Sequence, residues 1–300
     1  MIPVAFHPIY RHPLPDGHRF PMRKYELLPE QLLYEGTLTP NDFFSSEPAS
    51  NENVCRIHDP AYVEALQTLA IDPRAARKIG FPLSAELVER ELRITQGTID
   101  GAVQALEYGI AFNIAGGTHH AYRGHGEAFC LLNDQAVAAQ YLLDTGKASK
   151  VLIVDLDVHQ GNGTAAIFAG REDVFTFSMH GRTNYPFKKE QSDLDVALED
   201  GTDDATYLNT LFDLLPSLLN KTRPDFVFYL AGVDILASDK LGKLGCTVDG
   251  CRQRDRFVLT QCRERNVPVQ CSMGGGYSPD IRTIVDAHAN TYREAVALYG

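Results

Sequence analysis

The chain has 300 residues, 44% of them hydrophobic, which is enough to bury one large α/β core without a visible linker. Its 28 Lys and Arg against 39 Asp and Glu leave a net charge of −11. That balance excludes a general nucleic-acid or anionic-membrane binder, since both need a basic surface, and it suits a cationic substrate or a peptide with basic flanks.

The N-terminal stretch MIPVAFHPIYRHPLPDGHRF opens with a short strand-like run at 2 to 6 and holds no readable signal peptide. Residues 36 to 60, rich in Ser, Asn, Asp and Pro, predict loop plus a short helix as a surface excursion. An amphipathic helix is expected from 84, a strand at 111 to 114 and a helix from 133. Strands follow at 151 to 158 and 174 to 179, a helix from 206, and strands at 226 to 232 and 267 to 273. The strand runs are almost continuously apolar, as parallel strands covered on both faces require. Alternation of this kind predicts one α/β domain over residues 1 to 300, with helices on a central, mostly parallel sheet. Six scattered cysteines (Cys55, Cys130, Cys246, Cys251, Cys262, Cys271) form no CxxC pair or disulfide framework, and no run of about 18 apolar residues reads as a membrane span. A reducing, cytoplasmic setting is expected.

In such sheets ligands bind beyond the carboxyl ends of strands, so the residues just after each strand carry the functional signal. After the run at 111 comes "IAGGTHHAYRGHGEAFCLLND", with adjacent His119 and His120. Regular backbone cannot aim two neighbouring side chains at one point; the preceding Gly116 and Gly117 free the chain to do so. His125 in the same stretch is expected to be a plain loop histidine. After the run at 151 comes "DLDVHQGNG", where Asp155, Asp157 and His159 alternate and would share a face on extended backbone. A carboxylate and an imidazole two residues apart form half of a zinc site. "VDILASDKLG" presents Asp234, and "CSMGGGYSPD" presents Tyr277 after three glycines. Asp, His and Asp are three ligands with a fourth position open, the catalytic pattern, and nearby histidines and a tyrosine supply proton transfer and oxyanion stabilisation. Together these parts describe a metal-assisted amide hydrolase.

With those residues in view, the sequence resembles the zinc-dependent histone deacetylase family of the arginase/deacetylase fold, a three-layer α/β/α architecture, and within it the class IV branch. The resemblance rests on "GHRFPM", "GGTHHA", "EAFCLLND", "DLDVHQGNG", "AGVDILASDKLG" and "GGGY", in family order from 17 to 277. It implies one catalytic zinc on Asp157, His159 and Asp234. It implies that His120 takes a proton from the attacking water and later protonates the lysine amine, that His119 assists, and that Tyr277 donates to the carbonyl oxygen. Asp155 would orient His119, and Asn162 would partner His120 where class I members have Asp, leaving His120 more readily neutral at pH 7. Phe129 matches one wall of the acyl-lysine tunnel, Tyr185 is the candidate for the other wall, and Gly275 is expected to line the substrate site. Arg19 matches an arginine of the internal pocket through which acetate leaves. A potassium ion is implied on Asp155, on the main-chain oxygens of Asp157 and His159, and on Ser178 and Met179.

A binuclear manganese ureohydrolase on the same fold would need carboxylates where this chain has Gly161 and Leu236. A non-catalytic fold that binds acyl ligands finds no support, since each catalytic position holds a competent side chain. The substrate stays open among acetyl-lysine proteins, longer fatty-acyl lysines, which class IV resemblance favours, and acetylated polyamines. No protein partner is indicated.

Overall fold

In the computed structural model, which describes residues 1–300, alternate residues of the apolar runs enter two separate cores. Val151 and Ile153 join one apolar cluster while Leu152 and Val154 join the other, and Phe226 and Phe228 part from Val227 and Tyr229 in the same way. A pleat with both faces buried does this, which is why these runs lack polar alternation. The strands are β1 (Val4–Ala5), β2 (Phe43–Phe44), β3 (Ile110–Asn113), β4 (Val151–Asp155), β5 (Val174–Gly181), β6 (Leu194–Leu198), β7 (Phe226–Leu230) and β8 (Val269–Ser272). They form a single sheet in the order β2-β1-β3-β8-β7-β4-β5-β6, parallel at every pairing.

The helices are α1 (Lys24–Tyr34), α2 (Asn51–Val54), α3 (Pro60–Gln67), α4 (Pro73–Ile79), α5 (Ala85–Tyr108), α6 (Asp134–Asp144), α7 (Asn162–Phe168), α8 (Asp204–Thr222), α9 (Val248–Glu264) and α10 (Ile281–Tyr299). Helices α5, α6 and α7 cover one face with Ile99, Ala102, Val137 and Phe168, and α8, α9 and α10 cover the other with Leu215, Val258 and Ile284. The expected three-layer α/β/α architecture is therefore present. Caps set the helix starts: the Ser84 hydroxyl accepts from Leu87 N at 3.1 Å, and the Asn133 side-chain Oδ1 from Ala136 N at 3.1 Å. No helix is long and apolar enough to cross a membrane.

The segment 36 to 60 departs from the expected surface excursion. It contributes β2, which pairs with β1, and it buries Leu38, Ala49 and Val54. Its polar composition reflects turns and caps between those few apolar anchors.

Candidate active site

The loops that leave β3, β8, β7 and β4, four neighbours in the sheet, meet at their carboxyl ends. They bring together Asp157 and His159 after β4 and Asp234 after β7, whose ligand-type atoms all lie within 4.8 Å of one another. His159 Nδ1 is 3.0 Å from Asp157 Oδ1 and 3.1 Å from Asp234 Oδ2. Backbone donors hold both carboxylates: Gly275 N donates to Asp157 Oδ2 at 2.8 Å, and Val158 N to Asp234 Oδ1 at 3.0 Å. Burial opposes charge on His159, yet its hydrogen bonds to the two carboxylates raise its pKa to about 10. Burial, followed by the charge of Asp157, lifts Asp234 to about 7. Two carboxylates 2% and 0% exposed facing one imidazole leave excess negative charge out of water, a donor set that fits a bound divalent cation. The second-metal positions of a binuclear enzyme hold no carboxylate: at Gly161 a Cβ would lie 2.3 Å from Asp155 Oδ2, and position 236 is a leucine in the apolar core.

The histidine pair follows β3. Gly116 and Gly117 have φ of +79° and +75°, and a Cβ on Gly116 would lie 2.3 Å from Asp134 Oδ2, so both positions need glycine. The turn sets the two imidazoles 4.1 Å apart, centroid to centroid. His119 Nδ1 lies 2.7 Å from Asp155 Oδ2, and His120 Nδ1 lies 2.6 Å from Asn162 Oδ1. Their basicities separate, though for a different reason from the Asn162 partner the sequence offered. Burial lowers His119, but the charge and hydrogen bond of Asp155 outweigh it and its pKa ends above the usual value. His120 ends well below, through burial first and then the charges of His119 and His159, while the Asn162 bond pushes weakly the other way. The Asn162 amide therefore opposes the depression, which burial and the neighbouring imidazoles produce. Asn162 is itself fixed, because its Nδ2 donates to Glu127 Oε1 at 2.6 Å and to the Tyr122 hydroxyl at 3.0 Å. An ionised carboxylate only accepts, so the amide nitrogen must face Glu127 and the amide oxygen must face His120. That leaves the Nδ1 proton on His120 and its Nε2 free.

Tyr277 is half-buried over the site, its ring 6.3 Å from that of His159, and its backbone N donates to Asp239 Oδ2 at 2.6 Å. Phe129, in the left-handed region at φ +68°, lines both the inner cavity and the outer mouth. Tyr185 shares that mouth, its ring edge-on to His120 at 5.0 Å. Gly275 lines the inner cavity and also holds Asp157.

A histone deacetylase domain model matches residues 18–292. This chain belongs to the histone deacetylase family. It is 46% identical over 297 residues to an uncharacterized protein of Picosynechococcus sp., covering 99% of each. It is 29% identical to histone deacetylase 2 of Arabidopsis thaliana, over 93% of this chain and 75% of that one. The crystal structure of the HDA15 HD domain superposes with a TM-score of 0.82 at 21% identity, covering 98% of this chain and 90% of that one, and so shares the fold.

In this member of the family, Arg19 is not in the internal pocket. It is exposed, with its guanidinium 4.9 Å over the Phe129 ring on the outside of the mouth. Its neighbour Phe20 turns inward against Phe81 and Phe129, which leaves Arg19 facing out. The arginine of the inner cavity is Arg90 on α5, 3% exposed, whose Nε donates to the Tyr10 carbonyl at 2.7 Å. Buried Lys24 donates to the Gly274 carbonyl at 3.0 Å; burial drops its pKa to about 8 against the pull of Asp234 and Asp157. Of the potassium set, Asp155 and Ser178 are register partners across β4 and β5, Met179 follows Ser178 on β5, and the Ser178 hydroxyl lies 2.9 Å from His180 Nδ1.

Three positioning residues escaped the sequence reading. Glu127 sits inside the motif "EAFC" and Asp239 inside "ASDKLG", so both were in view without a role. Arg254 on α9 is fully buried: its Nη1 donates to the carbonyls of Gly232 at 2.6 Å and Leu156 at 3.3 Å, and its Nε to Asp255 at 2.9 Å. It ties together the two chain segments that present Asp234 and Asp157.

Proposed function

We propose that this chain, acting as one catalytic unit over residues 1–300, is a zinc-dependent hydrolase that removes acetyl groups from lysine side-chain amides. The observation that carries the proposal is the convergence of the Asp157, His159 and Asp234 donor atoms within 4.8 Å at the floor of a pocket that Asp157 and His159 line together with His120 and Tyr277. Asp157, His159 and Asp234 would hold the zinc, which when bound makes water a nucleophile at neutral pH and polarises the amide carbonyl. His120, neutral and with Nε2 free, accepts the proton of the attacking water and passes it to the departing lysine amine. His119, raised in basicity by Asp155, contributes positive charge beside the developing oxyanion, and the Tyr277 hydroxyl donates a hydrogen bond to it. Phe129 and Tyr185 flank the mouth through which the lysine methylenes reach the site. A potassium ion on Asp155, Ser178 and Met179 and the main-chain oxygens of Asp157 and His159 belongs to the same proposal, where it would steady the β4 end.

Cavity size favours acetyl over long acyl chains. The inner cavity lined by Phe20, Phe81 and Arg90 offers about 40 Å³, room for roughly three waters at ~10–15 Å³ each, whereas a myristoyl tail needs far more. The test is kcat/KM on one peptide bearing acyl groups from acetyl to myristoyl, with zinc-loaded protein and with His120→Ala and Tyr277→Phe. Acetyl should lead, and each variant should lose about 10²-fold or more in kcat. A folded, zinc-bound wild type that turns over none of the series defeats the proposal.

A further inference from the structure

The chain as a whole is strongly acidic, yet the mouth of its site is basic. The side chains that line the outer opening of about 380 Å³ include Arg19, Lys78 and Lys243 and no carboxylate. Arg19 and Lys78 are exposed and make no ion pair within 4.0 Å, and Lys243 reaches Asp200 only at 3.9 Å. The surrounding loops repeat the bias: residues 181 to 189, GRTNYPFKK, carry three cations and no acid, and so do residues 73 to 83, PRAARKIGFPL. The acids closest in sequence are occupied. Asp239 accepts from the backbone of Leu241, Gly242 and Tyr277; Glu199 pairs with Arg182 at 2.8 Å; Asp200 accepts from the Thr183 hydroxyl at 2.7 Å; and Glu127 is spent on Asn162. Glu190 lies 3.3 Å from the Tyr122 hydroxyl and does not line the opening, nor does exposed Asp16. Phe187, 90% exposed, adds an apolar face to the rim beside Tyr185.

Two cations without an ion-pair partner, Arg19 and Lys78, with a third, Lys243, only loosely paired, at one opening of a protein of net charge −11 focus a positive field there and raise the local concentration of anions. Building on the deacetylase reading, we propose that the substrate is an acyl-lysine in an acidic stretch of polypeptide, with Asp or Glu side chains within a few residues of the modified lysine. Consecutive residues are 3.8 Å apart, so carboxylates one or two positions away reach the rim while the acyl chain lies in the tunnel. The exposed Phe187 ring gives a peptide, rather than a small anion, something to pack on. Acetylated polyamines and lysine-rich tails would instead press their remaining ammonium groups against Arg19, Lys78 and Lys243. The expectation from net charge, a cationic substrate or one with basic flanks, is therefore reversed by where the charges sit.

The test uses acetyl-lysine peptides of equal length flanked at the two positions on either side by Asp/Glu, by Ala or by Lys/Arg, together with N-acetylputrescine and N-acetylglutamate. These are assayed with the zinc-loaded protein at about 50 and 300 mM salt. One exposed ion pair shifts an equilibrium by about 2- to 5-fold, so two or three should favour acidic over basic flanks by about 10- to 100-fold in kcat/KM. The preference should lie mostly in KM, shrink at high salt and collapse or invert in Arg19→Glu/Lys78→Glu. Equal values across the flanks, or preference for basic flanks or the polyamine, overturn this inference while leaving the deacetylase reading intact. N-acetylglutamate outrunning the acidic peptide overturns the peptide assignment, and no turnover of any substrate overturns the deacetylase reading together with this inference.

Discussion

Replacing Asn162 by Asp puts a carboxylate 2.6 Å from His120 Nδ1, where an amide oxygen now stands. A charge pair about 4 Å apart at an effective dielectric of ~20 is worth about 4 kcal/mol, which would raise the His120 pKa by roughly 3 units. Since His120 acts as a base only when neutral, a higher pKa moves the acidic limb of the pH profile of kcat/KM to higher pH. The environment tempers that figure. The same substitution removes the Nδ2 donor that lies 2.6 Å from Glu127 Oε1 and sets two carboxylates against each other. Like charges at that distance retain one proton between them, so the net charge near His120 barely changes. Asn162→Asp alone should therefore move the limb upward by about 1 unit or less. In Asn162→Asp/Glu127→Gln the new carboxylate stands alone with an amide donor behind it, and the limb should rise by about 2 units. Initial rates from pH 5 to 9 at subsaturating acetyl-lysine peptide, for the wild type and the two variants, give the comparison. If the double variant's limb stands no higher than that of Asn162→Asp, Glu127 does not govern the Asn162–His120 contact and the reasoning fails.

His58 is buried with its Nε2 accepting from Asn133 N at 2.9 Å, and burial lowers its pKa to about 4. A depressed histidine stabilises the fold above its unfolded pKa of ~6.5, and the contribution drains away as pH falls toward 4, up to about 3 kcal/mol in all. In urea titrations at pH 7.5 and 4.5, His58→Gln should lose less stability between the two than the wild type; equal losses would show that His58 does not titrate in this window. Arg254→Met leaves Asp255 charged and unpaired in the core and should cost about 3–5 kcal/mol in urea unfolding. A loss under 1 kcal/mol would contradict the buried tie. Metal analysis after loading should find one equivalent of divalent ion, and Asp234→Asn should abolish retention, whereas two equivalents of manganese would point to a second site that Gly161 and Leu236 do not provide.

What could be read from the sequence was whatever chemistry is local to a strand end. Asp157 and His159 lie two residues apart just beyond β4, and Gly116 and Gly117 directly precede the histidines they aim, so motif and geometry coincide. Arg19 went astray because the direction of an irregular loop depends on which neighbour finds a pocket, and Phe20 finds one among Phe81 and Phe129. Helix α9 went unpredicted because Arg254 and Asp255 look like a solvated face, although both are fully buried as a pair. The basic mouth was hidden for a similar reason: net charge averages over a surface, and Arg19, Lys78 and Lys243 come from three distant segments that only the fold assembles.

The two ends of the sheet also bear on how the molecule behaves in company. At one edge β2 is only Phe43–Phe44, too short to template another strand. At the other, β6 carries the charged Asp195 within it and is followed at once by Glu199, paired with Arg182, and Asp200, so an incoming β-segment meets a rim of charged side chains. Eight parallel strands give a sheet that depends on distant pairings and is slow to assemble. Blunt, charged margins keep such a sheet from recruiting neighbouring chains while its centre is still forming.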